Sequence, residues 1–582
     1  MNIVWASSLF FLIAWLALFS SLFVYKKSDD KLEGAMWIPL LIVVIICIHT
    51  LIAAVLTIIH IPVNIVSIGI IECAIAGLLW RKIYKSKEYQ KYKFEISDVL
   101  MLLGILVLIV FLVEERFDGK ELLPSFFTID PAVHFQNAMN TIIEQSVANM
   151  YLASLRNALF IETFGCFTTV DKYYKLFVIS ELVNFGLSGC MFYGVTKLMS
   201  NDRFTRLAGV IISLIYVVGY PLNSTLYGFV YLGMGVTIVS AIVCMADYFN
   251  LDRISRGFNI AMLMLLCVGV FQCYMLFMPV TFFAVIVSVF FKQKRDGKLI
   301  SLDTVKVCLA IFLIPCIVGL GFAFAGTFSG GESVASAISQ EGACYRLLYT
   351  NFVPFLPLAI YGLFRMITKK TNEVMIYLSI FTFGFVAVLF YKAYKLEVST
   401  YYYYKNYFLA WFVLFFLAMK GIVEVEKKSR TLIVCFFGVW ALVFSMMLTG
   451  TESKIAQKNP MLNEYQLART YNDIYGYNFE NIKIWPKYTT EKMDLYSYVY
   501  NELLSQDEID KVPIASYWED VYWYQDVTNT RDASWNSESG EYEYVLVLND
   551  FKSTVYNENV EYFESLEKLY GNGAGFVARV SK

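Results

Sequence analysis

The chain has 582 residues, of which 58% are hydrophobic and only 16% are charged. Soluble proteins carry about 25% charged residues, so this composition excludes a set of soluble domains and indicates a polytopic membrane protein. The charge is uneven: residues 451–582 hold 12 basic and 22 acidic side chains, whereas residues 1–450 hold 35 basic and 27 acidic ones. So acidic a tail argues against nucleic acid and against anionic lipid as its partner.

The apolar runs along the chain predict a mainly α-helical membrane domain. A helix needs about 20 apolar residues to cross a hydrocarbon core of ~30 Å, and about 14 runs meet this need. The first run, Val4 to Val24, lacks a preceding basic segment and a small-residue cleavage site, so we expect a retained span rather than a signal peptide. The predicted spans are 3–25, 36–58, 64–80, 98–113, 175–196, 207–221, 225–246, 257–273, 276–291, 305–325, 351–367, 374–391, 406–423 and 431–449.

Basic residues predict the orientation of these spans, because cytoplasmic loops keep Lys and Arg. Alternate loops are rich in them, near 26–31, 81–93, 197–206, 253–256, 292–298, 369–370 and 427–430. The short connections 59–63, 222–224 and 274–275 contain neither Lys nor Arg. We therefore expect both termini on the extracytoplasmic side of the membrane.

Three predicted outer segments are too long to be turns, namely 114–174, 326–350 and the tail 451–582. We expect residues 1–450 to form the membrane domain and the tail to form an extracytoplasmic α/β domain. Strand-like runs at 512–517, 544–548 and 575–580 alternate there with helical stretches near 461–475, 490–505 and 558–570. The aromatic stretch 517–524 is either a sugar-stacking surface or, as we favour, part of the packing core.

The segment from Phe127 to Ile143 is the most informative in the first large outer loop. Asp130 followed by Pro131 is typical of a helix start, with Asp130 as the N-cap. The apolar residues that follow recur with helical spacing, so we expect an amphipathic helix along the outer membrane surface with His134 on its polar side. Asp130 is then either a simple cap or a general base at lipid-headgroup depth.

Other charged residues of the outer segments are weaker candidates for chemistry. Asp118 is a rival base, although we expect it to pair with Arg116 in an interfacial cluster. His134 and Asp130 lie four residues apart, and one His with one Asp is only a weak indication of a metal site. We therefore expect no tightly bound metal and no cofactor, and we leave open only the binding of a divalent cation. The later outer loops carry cations and an aromatic neighbour that could bind a phosphate group at headgroup depth, namely Lys405, Arg346, Tyr404 and, less favourably, Lys392 and Lys395.

The span plan, the motif Asp-Pro-Ala-Val-His-Phe in the first large outer loop, the loop Ser399 to Tyr407 and the α/β tail together resemble bacterial GT-C polytopic membrane glycosyltransferases. Such enzymes use polyprenyl-phosphate sugar donors. The resemblance implies a GT-C-like bundle, with Asp130 as catalytic base and His134 as a second polar residue. Three predicted spans more than usual precede the loop, which keeps Asp118 as the alternative base.

The resemblance thus implies an inverting transfer of a hexosyl or pentosyl group to a cell-envelope glycan, such as a wall polysaccharide or teichoic acid. One alternative is a lipid-linked sugar flippase or transporter, for which Glu72 and Glu181 are the chief ionisable residues inside apolar runs. Another is a polysaccharide polymerase or ligase of a different fold. The expected partners are the lipid donor, the glycan acceptor and membrane lipids, and the sugar, the linkage, the lipid length and the oligomeric state stay open.

Overall fold

The structure is a computed structural model that describes residues 3–147, 152–200, 202–298, 301–328, 342, 344–348, 352–448, 473–505, 509–536, 542–549 and 553–580. The predicted helical stretch near 461–475 lies outside the described residues except at its last three positions. Most of the predicted outer loop 326–350 lies outside them as well.

Helices make up most of the described chain up to residue 448. Several begin at capping side chains: Asn64 accepts hydrogen bonds from the backbone N–H groups of Val66 and Ser67, and Asp202 accepts one from Thr205. In chain order the helices are α1 Ile3–Val24, α2 Gly34–Ile58, α3 Ile65–Ser86, α4 Ile96–Glu115, α5 Asp130–Glu144, α6 Leu152–Phe164, α7 Tyr173–Met199, α8 Arg203–Val217, α9 Tyr220–Tyr227, α10 Val230–Asn250, α11 Arg256–Cys273, α12 Met278–Arg295, α13 Leu302–Phe328, α14 Leu356–Lys369, α15 Glu373–Tyr394, α16 Thr400–Lys405, α17 Tyr407–Glu424 and α18 Arg430–Leu448.

Eleven helices of the described chain are long and apolar enough to cross a membrane. They coincide with eleven of the predicted spans, which supports a multi-pass helical membrane protein. The other three predicted spans correspond to α3, α14 and α18. Helix α14 has 14 residues and is thus roughly 21 Å long, short of the ~30 Å core. A total of 14 spans therefore stays a prediction.

The bundle has a clear centre. In the most apolar windows of α10 and of the segment Thr400–Glu424, 94% of the residues are buried in the protein, whereas the figure is 22% for α4. Peripheral helices such as α4 therefore present most of their apolar side chains outward, as lipid-facing helices do. Tyr231 lies at the start of α10, and Lys405 lies near the start of the segment Thr400–Glu424. Both residues thus belong to the two most deeply buried helical segments of the bundle.

The tail contains a four-stranded sheet with short helices. Its helices are α19 Ile474–Ile484, α20 Thr490–Tyr498, α21 Trp518–Thr528, α22 Thr554–Glu558 and α23 Val560–Ser565. Outside the tail, β1 Leu32–Glu33 and β2 Tyr92–Lys93 form a separate parallel pair. The strands of the tail are β3 Ile514–Ala515, β4 Tyr544–Leu548, β5 Glu567–Asn572 and β6 Gly575–Arg579, and their order in the sheet is β3-β4-β6-β5. Strand β3 is parallel to β4, whereas β6 is antiparallel to both β4 and β5.

The three predicted strand runs of the tail all contribute strands, but the prediction of a helix through 558–570 was wrong. Helix α23 ends at Ser565, and β5 begins at Glu567 and pairs with β6. The edge strand β5 gains its hydrogen bonds from β6, which no local helical pattern can reveal. The pairing therefore overrides the local preference.

The tail packs directly onto the bundle. Trp523 of α21 is 2% exposed and stacks on Phe126 and Phe135, with ring centroids 6.2 and 6.0 Å apart. Asn478 of α19 donates hydrogen bonds of 3.0 Å to the carbonyl oxygens of Val218 and Gly219. The core of the tail is thus continuous with that of the bundle, and Trp523 belongs to this packing rather than to an open sugar-binding face.

Candidate active site

Asp130 is the first residue of α5, and its carboxylate does not cap the helix. The N-cap position is Ile129, and no side-chain cap hydrogen bond forms there. The prediction that Asp130 is the N-cap was therefore wrong by one position, although the helix start itself was placed correctly. Instead the hydroxyl of Thr128 accepts a hydrogen bond of 3.3 Å from the Asp130 backbone N–H. The half-buried carboxylate is thereby left available for another role.

The segment before Asp130 is fixed to the end of α9. The Phe127 N–H donates to the Leu226 carbonyl, and the Thr128 hydroxyl donates to the Tyr227 carbonyl, each over 2.8 Å. Gly228 follows with a φ of 77°, and a Cβ atom built there would lie 2.5 Å from Cδ of Pro131. Only glycine combines this left-handed backbone with so close an approach. The start of α5 therefore rests on a backbone surface that holds Asp130 in place.

Lys405, from the end of α16, supplies a cation to the same region. Its ammonium is buried and donates a hydrogen bond of 2.6 Å to the Tyr231 hydroxyl, and it lies 3.8 Å from the centre of the Tyr401 ring. Burial raises the pKa of the Asp130 carboxyl, and the nearby Lys405 ammonium partly opposes this rise. Within the described chain the two groups form no ion pair, so they act on each other across a gap.

His134 lies one helical turn beyond Asp130 and is 9% exposed. Its ring is 5.6 Å from the ring of Tyr231. Burial and the Lys405 ammonium lower the pKa of His134 to about 4, while a hydrogen bond with the Gly228 backbone opposes this shift. The expectation that His134 lies on a solvated face was wrong, because this side chain is covered by the ring of Tyr231 and the backbone at Gly228. The imidazole is therefore neutral at physiological pH.

Arg346 and Tyr404 form an adjoining pair. The Arg346 guanidinium lies 5.1 Å from the centre of the Tyr404 ring, and its side chain is exposed. Tyr404 immediately precedes Lys405 in α16, so Arg346 lies beside the same short helix that carries Lys405. The tyrosine cluster continues to Tyr403 and Tyr407, whose hydroxyls are 2.6 Å apart.

The alternative base, Asp118, lies elsewhere. Asp118 is exposed in a turn after α4, and Arg116, which we expected to pair with it, donates instead to the carbonyls of Ser125, Phe126, Trp485 and Pro486. That expectation was wrong because the guanidinium is buried between the loop and the tail, where backbone carbonyls need donors.

Lys392 forms an exposed ion pair with Glu397 and is not part of the cluster around Lys405. Lys395 is likewise exposed, about 6 Å from the rings of Tyr391 and Tyr394. Both lysines are thus surface residues at the C-terminal end of α15, as side chains at a helix end commonly are.

Two depressions border the site. An apolar groove of about 370 Å³ lies between α14, α15 and α17 and includes Tyr407. A smaller cleft of about 90 Å³ separates residues 124–129 from the tail and is lined by Trp485, Tyr488, Tyr517 and Trp523 among others. Thr128 and Ile129 line this cleft, so it reaches the residues next to Asp130.

The two ionisable residues inside the bundle are each hydrogen-bonded. Glu72 is 2.7 Å from Nε2 of His49, and Glu181 accepts hydrogen bonds of 2.8 Å from Arg156 and Asn157. All these partners come from neighbouring helices of the bundle. Each carboxylate is therefore paired internally, as a buried charge must be.

Asp130 and His134 bring one carboxylate and one imidazole to the site. Over the part of the chain that the structure describes, no group of three or more His, Cys, Asp or Glu side chains is placed to hold a metal ion. The prediction of no tightly bound metal stays a prediction.

Sequence reasoning missed Tyr231 and Gly228. Tyr231 is one of many tyrosines at the end of an apolar run, and nothing in its spacing distinguishes it. Gly228 lies just after the connection predicted at 222–224, and the actual turn comes at residues 228–229, beyond α9. A glycine near a predicted turn was the one available signal.

Comparison of the chain with protein-family models, with curated proteins and with solved structures finds no match.

Proposed function

We propose that the protein is an inverting glycosyltransferase of the GT-C type, which transfers a sugar from a polyprenyl-phosphate donor to a cell-envelope glycan outside the bacterial plasma membrane. One observation carries the proposal. The position of Asp130 is fixed by the turn at Gly228, and its carboxylate does not cap the helix. The charge of Lys405 acts on this carboxylate, although the two groups form no ion pair. A base and a cation separated by a gap are what this transfer requires.

In the proposed reaction, an acceptor hydroxyl attacks the anomeric carbon of the donor sugar. Asp130 takes the proton of that hydroxyl as the new glycosidic bond forms, and the bond between the anomeric carbon and the phosphate oxygen breaks. The raised pKa of Asp130 makes its carboxylate a stronger base. Neutral His134 beside it adds a polar group without a second positive charge.

The departing lipid phosphate needs cations. Lys405 is already ordered by Tyr231 and the ring of Tyr401, so it would meet the phosphate without first losing conformational freedom. Arg346 lies at the exposed edge of the same tyrosine cluster and adds a second cation. We therefore assign Lys405 the main role toward the leaving phosphate and Arg346 a supporting one.

The groove between α14, α15 and α17 supports a lipid donor. Its lining is almost wholly apolar and includes Phe352, Leu363 and Leu417. Tyr407 belongs both to this groove and to the tyrosine cluster beside Lys405. An isoprenoid chain in the groove would have its phosphate near the cations.

The cleft between the outer loop and the tail supports a glycan acceptor. Aromatic side chains of the tail, among them Tyr517 and Trp485, meet residues adjacent to Asp130 there. Carbohydrates bind such surfaces because aromatic faces combine apolar area with nearby polar groups. The small volume suits contact with one side of a sugar, and the tail would bind the rest of a wall polysaccharide or teichoic acid.

The test compares cell-envelope glycans in a strain that lacks the protein and in strains that express variants. Asp130→Asn keeps the size of the side chain but removes the base, and we expect the glycan to be lost as in the deletion strain. Asp118→Asn is the matched control, because it makes the same change at an exposed carboxylate of the same loop, and we expect it to restore the glycan. Restoration by Asp130→Asn at equal protein level would refute the proposed base.

A transporter is the second candidate, and the buried pairs of Glu72 with His49 and of Glu181 with Arg156 favour it. Transport of a charged or polar substrate would use such groups inside the bundle. The variants Glu72→Gln and Glu181→Gln then distinguish the two functions. Loss of the glycan in these variants, with normal glycan in Asp130→Asn, would favour the transporter.

A further inference from the structure

A polar cavity of about 540 Å³ lies at the end of the bundle opposite to Asp130. Helix α10 runs from Val230, next to the Lys405 partner Tyr231, to Asn250 at the cavity, and α17 likewise ends there at Glu424. At 1.5 Å per residue these helices separate the two sites by roughly 30 Å. By the distribution of Lys and Arg in the loops, this end is the one that we expect to face the cytoplasm.

The cavity is lined by five basic side chains and three acidic ones. Ion pairs use part of this charge: Arg295 pairs with Glu373 over 2.5 Å, and Glu424 meets Lys369 and Lys420 over 2.5 and 3.2 Å. Glu424 also meets Arg365 from outside the cavity, over 3.4 Å. One carboxylate thus faces three cations, which leaves the cavity with an excess of positive charge.

Two of the cations have no carboxylate of their own. Neither Arg253 nor Lys370 forms an ion pair with any residue that the structure describes; Arg253 lies 5.7 Å from the centre of the Tyr248 ring. Asp247, a buried acidic residue of the cavity lining, already accepts a hydrogen bond of 3.1 Å from Asn372. The positive charges of Arg253 and Lys370 in the cavity are therefore not neutralised by an ion pair with any residue that the structure describes.

The negative end of a helix dipole favours basic residues near the last turn, and the effect fades beyond it. It therefore favours Lys370, which is the C-cap residue of α14. It acts less on Arg253, which lies three residues after the end of α10. The hydroxyl of Thr371, which lines the same cavity, is buried and has no hydrogen-bond partner among the described residues. The Thr371 hydroxyl thus offers a hydrogen-bond donor beside the cations Arg253 and Lys370.

We propose that this cavity binds a phosphate group, with Arg253 and Lys370 as its cations and the Thr371 hydroxyl as a hydrogen-bond donor. Phosphate oxygens accept several charge-assisted hydrogen bonds at once, which the guanidinium of Arg253 matches best. Two sources of the group exist at this face, a soluble phosphate compound and the headgroup of an anionic lipid. The site is separate from the proposed transfer and does not depend on it.

The test uses the purified full chain and three proteins: the wild type, the double variant Arg253→Gln with Lys370→Gln, and the control Lys428→Gln. Lys428 is a basic residue of a neighbouring loop whose side chain is 81% exposed and outside the cavity. In detergent, binding of inorganic pyrophosphate is titrated. In vesicles made of equal parts phosphatidylglycerol and phosphatidylcholine, retained phosphatidylglycerol is counted by native mass spectrometry.

Saturable pyrophosphate binding by the wild type, weakened about tenfold or more in the double variant and unchanged in Lys428→Gln, supports a soluble ligand. Retention of phosphatidylglycerol that the double variant loses and the control keeps, without pyrophosphate binding, supports a lipid headgroup. Equal behaviour of all three proteins, or no binding of either probe by the wild type, overturns the proposal. If the double variant fails to fold, the single variants Arg253→Gln and Lys370→Gln take its place, and binding unchanged in both of them overturns the proposal.

Discussion

Replacement of Gly228 by alanine tests whether the backbone of the α9–α10 turn holds the start of α5. The φ of 77° at Gly228 costs an L-residue about 1 kcal/mol. The new Cβ would lie 2.5 Å from Cδ, 2.7 Å from Cγ and 2.7 Å from the backbone nitrogen of Pro131. These atoms belong to a rigid ring at the helix start, so the helix itself must move by roughly 1 Å, which adds about 1 to 3 kcal/mol.

Gly297 offers a matched control. It has a φ of 70°, yet a Cβ atom there would meet no atom within 4 Å. Gly297→Ala therefore carries the backbone cost alone, and the difference between the two variants isolates the contact with Pro131. We expect Gly228→Ala to lower the thermal unfolding temperature of the detergent-purified protein clearly more than Gly297→Ala does.

The same substitution has a functional consequence under the proposed mechanism. A shift of the α5 start moves Asp130 relative to Lys405, and a displacement of about 1 Å is enough to reduce catalysis by roughly 100-fold. We therefore expect Gly228→Ala to lose the envelope glycan at a protein level at which Gly297→Ala keeps it. Equal unfolding temperatures for the two variants would refute the reasoning, since they would mean that Pro131 does not rest on Gly228.

Three further predictions concern ionisable residues. Lys405→Gln should lower the transfer rate by roughly 100-fold, whereas Lys392→Gln should leave it unchanged, and initial rates with a polyprenyl-phosphate sugar would check both. Arg116→Met should destabilise the protein by about 3 to 5 kcal/mol because it leaves buried carbonyls without donors; resistance of the tail to proteolysis measures this, and unchanged resistance would contradict it. Folding keeps His134 neutral, so its contribution to stability is present above the unfolded pKa of 6.5 and is lost as the pH falls towards about 4. The unfolding temperature of His134→Asn should therefore change less over this pH range than that of the wild type. An equally steep pH profile in the variant would count against the burial of the imidazole.

Apolar runs and breaker residues determined much of the secondary structure directly. A stretch such as residues 98–113 offers its backbone no hydrogen-bond partner in lipid except its own, so a helix follows from composition alone. Asp130 followed by Pro131 likewise predicted a helix start to within one residue, because proline suits the first turn of a helix. The strands at 544–548 and 575–580 were predictable for the same kind of local reason.

Only the tertiary structure decided which polar groups meet. Arg116 was assigned to Asp118 by proximity in sequence, but its donors reach carbonyls of Trp485 and Pro486, about 370 residues further along the chain. His134 was placed on the polar face of its helix because local periodicity cannot report that Tyr231 and the backbone at Gly228 cover it. The hydrogen bond from Lys405 to Tyr231 joins two distant helices, and its existence depends on packing that acts through space and leaves no periodic trace in the sequence.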